Sequence, residues 1–337
     1  MDDTRTRLTT VRQGNVPFLQ FPSPKQDHGR QQCLIYMIPG NPGLIDYYEP
    51  FLNTLRQLLD EIEAKEEHNY AYHIYGRNLL GFEDGDHEPP FGTTTSSGTQ
   101  TEPFSLEDQI DGVCSHLQTV NTTTLKTKQT FDSVILIGHS VGAYIALETF
   151  HRHHTALLSS PTTTTNTTAT TTPPKPPTTP APNLTTIPLR SGILLFPTVS
   201  HIAHSPSGRQ LNLLRTIPFF DRTAHHIAKA FVSVWPGWAL GGVVRKLLGF
   251  PAHAAAATLR FLAGRDGIWQ AVYLGKDEMR CIGEEREEFV ERRRRHEKGR
   301  VRVVVDGTGI PHAFCLHHSE SVAEKVKGWI EDIGGRQ

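Results

Sequence analysis

Cysteine is scarce in this chain: four of the 337 residues, Cys33, Cys114, Cys281 and Cys315, widely scattered and with no C-x-x-C pair. That excludes a disulfide framework and a cysteine-built zinc site, and it suits a reducing cytosol. Charge of one sign is lacking too. Thirty-four Lys and Arg face 35 Asp and Glu, a formal net charge of −1, so no overall field draws the chain to nucleic acid or to an anionic membrane. The N-terminus, Met1-Asp2-Asp3-Thr4-Arg5-Thr6-Arg7, has no apolar stretch of the kind found in a signal peptide. The N-x-T sequons at Asn121, Asn166 and Asn183 therefore follow from threonine richness. Long apolar runs are missing as well. The longest, from Ala230 to Val244, is shorter than the roughly 20 residues a spanning helix needs and is broken by Pro236-Gly237.

Hydrophobic residues make up 37% of the chain, below the usual globular share, which predicts that part of it stays outside a packed core. The length suits one large α/β domain with insertions or two modest domains. The Thr/Pro/Ser/Ala-rich stretch 155–189 is expected to be a disordered insert, because it buries too little apolar surface to offset chain entropy. Gly85 to Glu102 is expected to form a second, shorter flexible loop.

Against these absences stands the pentapeptide Gly138-His139-Ser140-Val141-Gly142. An apolar run, Val134 to Ile137, precedes it and a helical pattern, Ala143 to Glu148, follows it. Strand, glycine-flanked serine and helix match a nucleophile elbow. Glycine suits the flanking positions, where a side chain would collide with the neighbouring strand and helix. Such a turn lifts Ser140 Oγ above the sheet and leaves the Val141 N–H, at a helix N-terminus, to meet a developing oxyanion.

Other segments read as alternating strands and helices, which implies a mainly parallel sheet. Strands are predicted at Cys33 to Ile38, Tyr70 to Tyr75, Gly192 to Pro197 and Arg300 to Val305. Helices are predicted at Tyr47 to Ala64, at Phe104 to Leu117 with Ser105 and Asp108 capping its start, and, after Pro311-His312-Ala313-Phe314, as a final amphipathic helix to Ile330. The aromatic-rich stretch Leu211 to Leu262 reads as a largely helical lid or as ordinary helical core. Lys229, Arg245 and Lys246 at its margins would suit a membrane-surface anchor. Glu284 to Lys298 reads as a charged, solvated helix, with no nucleic-acid patch.

The chemistry needs a base and a second oxyanion donor. His312 lies in a loop between the predicted last strand and last helix, where the histidine of an α/β-hydrolase belongs. Its task would be to take the Ser140 proton and return it to the leaving group. Pro39-Gly40-Asn41 follows the strand expected beside the elbow strand, and the Asn41 N–H would complete the oxyanion hole with Val141. No metal or organic cofactor is implied.

Six segments together carry a family resemblance: IPGNPGLIDYYEPF (Ile38 to Phe51), FSLEDQI (Phe104 to Ile110), GHSVGAYIAL (Gly138 to Leu147), LLFPTVSHIAHSPSG (Leu194 to Gly208), VRKLLGFP (Val244 to Pro251) and IPHAFCLH (Ile310 to His317). The chain resembles the lipid droplet-associated hydrolases over nearly all of its length outside the Thr/Pro-rich insert. The resemblance implies an α/β-hydrolase fold, a nucleophile at Ser140, a histidine at His312 and a lipid or sterol ester substrate. It also implies a place on the cytosolic side of lipid droplets and endoplasmic reticulum.

The parts are then an N-terminal segment (1–30), a first core part (31–154), the insert (155–189), a core strand and loop (190–210), an apolar helical lid (211–282) and a C-terminal core part (283–337). One family feature is not found. An apolar strand carrying an aspartate should precede the histidine strand, yet Ala271 to Ile282, resembling the family's lid helix, runs straight into the charged stretch from Glu284. This reads as loss of the acid-bearing strand from this chain. Asp266 and Asp306 are the candidate substitutes, and without an acid the imidazole tautomer is uncontrolled, which can cost about 10⁴ in kcat.

Overall fold

The computed structural model describes residues 16–25, 29–65, 68–96, 98–122, 130–159, 184–198, 229–230, 232, 234–282, 302 and 304–335. Two strands dominate the core, β2 (Gln31–Ile38) and β4 (Ser133–His139). Both are almost continuously apolar and buried along their length, as strands with both faces covered must be. Around them the described residues form a five-stranded sheet of order β1-β3-β2-β4-β5, with β1 at Phe18–Phe21, β3 at Tyr70–Arg77 and β5 at Leu189–Leu195. β1 pairs antiparallel with β3, and the other neighbours are parallel.

Helix α1 (Glu49–Glu63) connects β2 to β3, and α3 (Val141–Ser159) connects β4 to β5. One connection moves toward the β1 edge and the other toward β5, so right-handed crossovers place α1 and α3 on opposite faces. Helix α2 (Leu106–Thr122) joins α3 on its face. Its first turn is closed as expected, with Asp108 Oδ2 accepting from the Ser105 N–H at 2.7 Å and Ser105 Oγ from the Asp108 N–H at 3.2 Å.

Above the carboxyl ends of the strands lie α4 (Gly237–Gly242), a π-helical turn (Val243–Leu247), α5 (Ala252–Ala263) and α6 (Gly267–Cys281). The chain closes with α7 (Phe314–His317) and α8 (Ser319–Gly334), and α8 packs against α1. The overlying layer is fastened by polar bonds. Tyr47 Oη meets Thr258 Oγ1 at 2.8 Å, Gln270 exchanges two bonds of 2.8 Å with the backbone of Phe104, and Asp277 Oδ2 accepts from Leu106 N–H at 2.7 Å.

Four expectations need correction. Arg302, Val304 and Val305 are not in a strand, and Val305 is 89% exposed. Alternating Arg and Val favour a strand only where an open sheet edge can receive them, and the pairings of the described residues end at β5. The stretch 85–102 is more than a flexible loop. Phe91 is buried, stacked on His87 at 4.0 Å and set edge-on to Trp269 at 6.0 Å, and Thr94 bridges Gln100. The segment before residue 30 contributes β1, whose Phe18, Leu19 and Phe21 are buried. Of the expected disordered insert 155–189, residues 155–159 complete α3 and 184–189 form a 3₁₀ turn (Leu184–Thr186) and the start of β5, because buried Leu184 and Ile187 pack into the core. The remainder of the insert (160–183), the first part of the expected lid (211–228) and the charged stretch Glu284 to Lys298 lie outside the described residues.

Candidate active site

β2 and β4 are neighbours whose following connections leave in opposite directions. Their carboxyl ends therefore flank a topological switch point, where open α/β sheets form ligand crevices. Register fixes what meets there. Ile38 pairs with Gly138, so the loop from Pro39 to Gly43 leaves β2 directly beside the turn that leaves β4.

That turn has the strained backbone of an elbow. Ser140 adopts φ +56°, a left-handed conformation that costs a non-glycine residue on the order of 1–3 kcal/mol. The surroundings over-determine it. Its N–H donates to the Leu195 carbonyl at 3.1 Å, and its carbonyl accepts from the Ala143 N–H at 3.0 Å. Glycine is obligatory on both sides of the serine. A Cβ on Gly138 would lie 2.3 Å from the Gly142 carbonyl oxygen, and one on Gly142 would lie 2.3 Å from the Ile38 carbonyl oxygen. Backbone is pressed against backbone, and nothing there can swing aside. Ser140 itself remains partly exposed, and Val141 is the first residue of α3, where the N–H has no acceptor within the helix.

The loop after β2 lies against this turn. A Cβ on Gly40 would stand 3.0 Å from Ser140 Cβ. The Gly40 N–H is committed inward, donating to Tyr48 Oη at 2.9 Å, so it is not free to face a substrate. Asn41 has its side chain turned to the overlying helix α6, where Nδ2 donates to the Ala271 carbonyl at 3.0 Å and to Glu278 Oε1 at 3.2 Å. Its Oδ1 is buried with no partner among the described residues. Glu278 is itself buried, which pushes its carboxyl up to about 7, against the opposing effect of the Asn41 bond.

His312 stands beside the elbow. Its carbonyl accepts from His139 Nε2 at 2.9 Å, and the two rings lie 4.9 Å apart. Phe196, also at positive φ (+45°), approaches both rings at 6.0–6.1 Å and stacks on Phe314 at 5.6 Å. The His312 side chain is solvent-exposed on one side, and partial burial lowers its pKa below 6.5. Among the described residues no hydrogen bond joins its imidazole to Ser140 Oγ or to a carboxylate. Such contacts are often long in the absence of substrate.

Neither candidate acid reaches His312. Asp266, at the start of α6, accepts from His87 Nε2 at 3.0 Å, from Arg265 Nε at 2.8 Å and from the Phe91 N–H at 3.3 Å. These bonds hold its carboxyl below the usual range against the cost of burial. Asp306 binds the Lys325 ammonium, Thr308 Oγ1 at 2.7 Å and the Ile310 N–H at 3.2 Å, with Lys325 foremost in depressing its pKa. Both are occupied with holding their own loops.

Sequence reasoning gave no role to Tyr48 or His139. Tyr48 Oη is 2.7 Å from His139 Nδ1, and burial, reinforced by the His312 charge, lowers the His139 pKa to about 4. The signal was present in the DYY and GHS triplets, but their meeting is visible only in three dimensions. Among the described residues no group of three or more His, Cys, Asp or Glu could hold a metal ion, and no helix is long and apolar enough to cross a membrane.

Solved structures that resemble this fold include the peroxisomal alpha-beta-hydrolase Lpx1 of Saccharomyces cerevisiae, with a TM-score of 0.50 and 12% identity, covering 99% of this chain and 86% of that one. A mutant of the epoxide hydrolase from Solanum tuberosum gives 0.50 and 11%, covering 97% of this chain and all of its own (100%). These likenesses establish the α/β-hydrolase fold. Among curated proteins, the rat (Rattus norvegicus) lipid droplet-associated hydrolase is 23% identical, covering 91% of this chain and 87% of its own. The human (Homo sapiens) protein of the same name is 24% identical over 53% of this chain and 42% of its own. Residues 31–298 match the family described as lipid-droplet associated hydrolase, a span that includes Asn41, Ser140 and Val141 and ends before His312. The chain is a member of the lipid-droplet associated hydrolase family, a hydrolase built on the α/β-hydrolase fold.

Proposed function

We propose that the chain cleaves a carboxylic ester of a lipid or sterol by serine catalysis, working on lipid droplets and endoplasmic reticulum from the cytosolic side and serving lipid storage. The observation that carries this reading is the strained serine at +56° on the sheet's switch point, with the His312 loop hydrogen-bonded to the adjacent His139. Ser140 Oγ attacks the acyl carbon while His312 takes its proton. The Asn41 and Val141 N–H groups hold the oxyanion, and His312 returns the proton to the leaving alcohol. Water then repeats the sequence on the acyl-enzyme. A lipid substrate is favoured by the names of the relatives.

Docking on the droplet is assigned to the layer over the sheet. Trp238 (82% exposed), Leu247 and Leu248 point to solvent beside Arg245 and Lys246, an apolar patch with basic margins that suits a lipid surface.

A second reading is supported by the commitment of Asp266 and Asp306 to other partners: a droplet-surface protein with weak or no catalysis, acting by binding. Labelling of the folded chain with a fluorophosphonate probe separates the two. The hydrolase reading expects labelling of wild type that disappears in Ser140→Ala. An unlabelled, folded wild type would reject it in favour of the binding protein.

A further inference from the structure

We infer that Tyr48 and His139 are positioning residues of this site, forming a hydrogen-bonded relay that locks the oxyanion loop, the elbow and the base loop into one unit. The inference rests on the hydrolase reading above and goes beyond it, because neither side chain touches substrate in that scheme. The relay has three bonds: Gly40 N to Tyr48 Oη at 2.9 Å, Tyr48 Oη to His139 Nδ1 at 2.7 Å, and His139 Nε2 to the His312 carbonyl at 2.9 Å.

Donor and acceptor roles follow from elementary bookkeeping. A carbonyl can only accept, so His139 carries its proton on Nε2. Its buried ring is neutral at physiological pH, so Nδ1 offers a lone pair and the Tyr48 hydroxyl must donate to it. A hydroxyl lone pair is then left for the Gly40 N–H, which can only donate. Each of the three bonds then has one permitted direction, with the Tyr48 hydroxyl accepting from Gly40 and donating to His139.

Burial makes these bonds consequential. Tyr48 and His139 are 3% and 5% exposed, and Phe314 closes edge-on over both rings at 6.1 and 5.1 Å. An unmet polar atom there has no water to turn to. The bland alternative is a histidine satisfied for the sake of the core, and the molecule contains such residues for comparison. His73 is bonded to Gln32 and His116 to Tyr36, and neither bond includes a residue of the three site loops. His139 differs because Nε2 bonds the base loop directly while Nδ1 meets Tyr48, whose hydroxyl in turn holds the Gly40 N–H of the oxyanion loop. In the described residues no carboxylate orients His312 through its ring, and this relay holds the base loop through its main chain instead. The commitment of Gly40 also leaves the next amide, that of Asn41, as the loop's donor toward Ser140.

The test uses the purified full chain with p-nitrophenyl butyrate as the reporter ester, and rates are expressed per site titrated by the fluorophosphonate probe. Tyr48→Phe keeps the ring and removes both hydroxyl bonds. His139→Phe removes both ring bonds, and His139→Gln restores one amide donor for the His312 carbonyl. The expectation is a fall in kcat of roughly tenfold or more for the two Phe variants with KM changed less than about twofold, and partial recovery in His139→Gln. The double variant Tyr48→Phe/His139→Phe should be no slower than the worse single, because both break one relay. Variants that keep kcat per titrated site within about twofold overturn the inference whatever their melting temperatures, since a packing role changes the number of folded sites and not the rate at each. Nitrogen-15 chemical shifts of His139 in the wild type should report the Nε2–H tautomer; an Nδ1–H form overturns the relay without any variant. A wild type inert to ester and probe would sink the Ser140 reading itself, whereas an active wild type with unaffected variants sinks the relay alone.

Discussion

At the residue scale the base is the sharpest subject for measurement. Burial alone acts on His312 and lowers its pKa from 6.5, whereas a neighbouring carboxylate would raise it. In the proposed mechanism the working form is the neutral imidazole, so activity should rise as pH climbs through this pKa. The acid limb of kcat/KM for p-nitrophenyl butyrate is therefore expected below pH 6.5. A limb at or above pH 7 would mean that an acid from elsewhere in the chain stands beside the ring. Ser140, Val141, Asn41 and His312 could each be nominated from motif and position, because strand–turn–helix contexts are local in sequence. Tyr48 and His139 could not be given their roles in that way. Their chemistry depends on an encounter between residues 91 positions apart, which no periodicity records.

At the scale of elements the central strands were legible because a strand covered on both faces reads as an unbroken apolar run, as Val134 to Ile137 does. The capping turn of α2 was legible because Ser105 and Asp108 stand at the spacing that lets each meet the other's N–H. β1 was not, since four residues at a sheet edge (Phe18–Phe21) carry little pattern and owe their place to β3. Arg302, Val304 and Val305 misled for the converse reason: a pattern suited to a strand says nothing of whether a partner edge is near.

Helix α6 carries a feature with a measurable cost. Burial raises the Glu278 carboxyl from 4.5 to about 7, so between these values the folded chain binds a proton that the unfolded chain has released. Stability from this group is present below pH 4.5 and is lost as pH rises through about 7. Glu278→Gln, which keeps an acceptor for Asn41, should be more stable than wild type by on the order of 1–3 kcal/mol above pH 7 and equal to it below pH 4.5. Thermal melts across this range check it, and a gap that widens toward acid would contradict the assignment.

For the whole molecule the proposed docking on a lipid surface is the matter to measure. The apolar patch lies on the overlying layer, with Val234 (76% exposed) and Trp235 (42%) extending it. Replacing Trp238, Leu247 and Leu248 together by Ser should reduce co-flotation with phosphatidylcholine-coated triolein droplets by about tenfold or more, since each buried large apolar side chain contributes roughly 1.5–3 kcal/mol. Hydrolysis of a soluble ester should persist in this variant. Unchanged flotation would assign docking to another surface.

The pairing of Ile38 with Gly138 also has a consequence in time. It joins strands a hundred residues apart, and the groups around Ser140 are drawn from residues 41, 48, 139 and 312, so no contiguous stretch of chain contains a working fragment of the site. Helices α1 and α3 can form early from local contacts, but closing a loop of that length is slow and costs entropy before any contact repays it. Competence toward the probe during refolding should therefore appear with the last long-range pairing, well after most helical signal. In that sense the proposed nucleophile would serve as a clock for the topology of the chain that carries it.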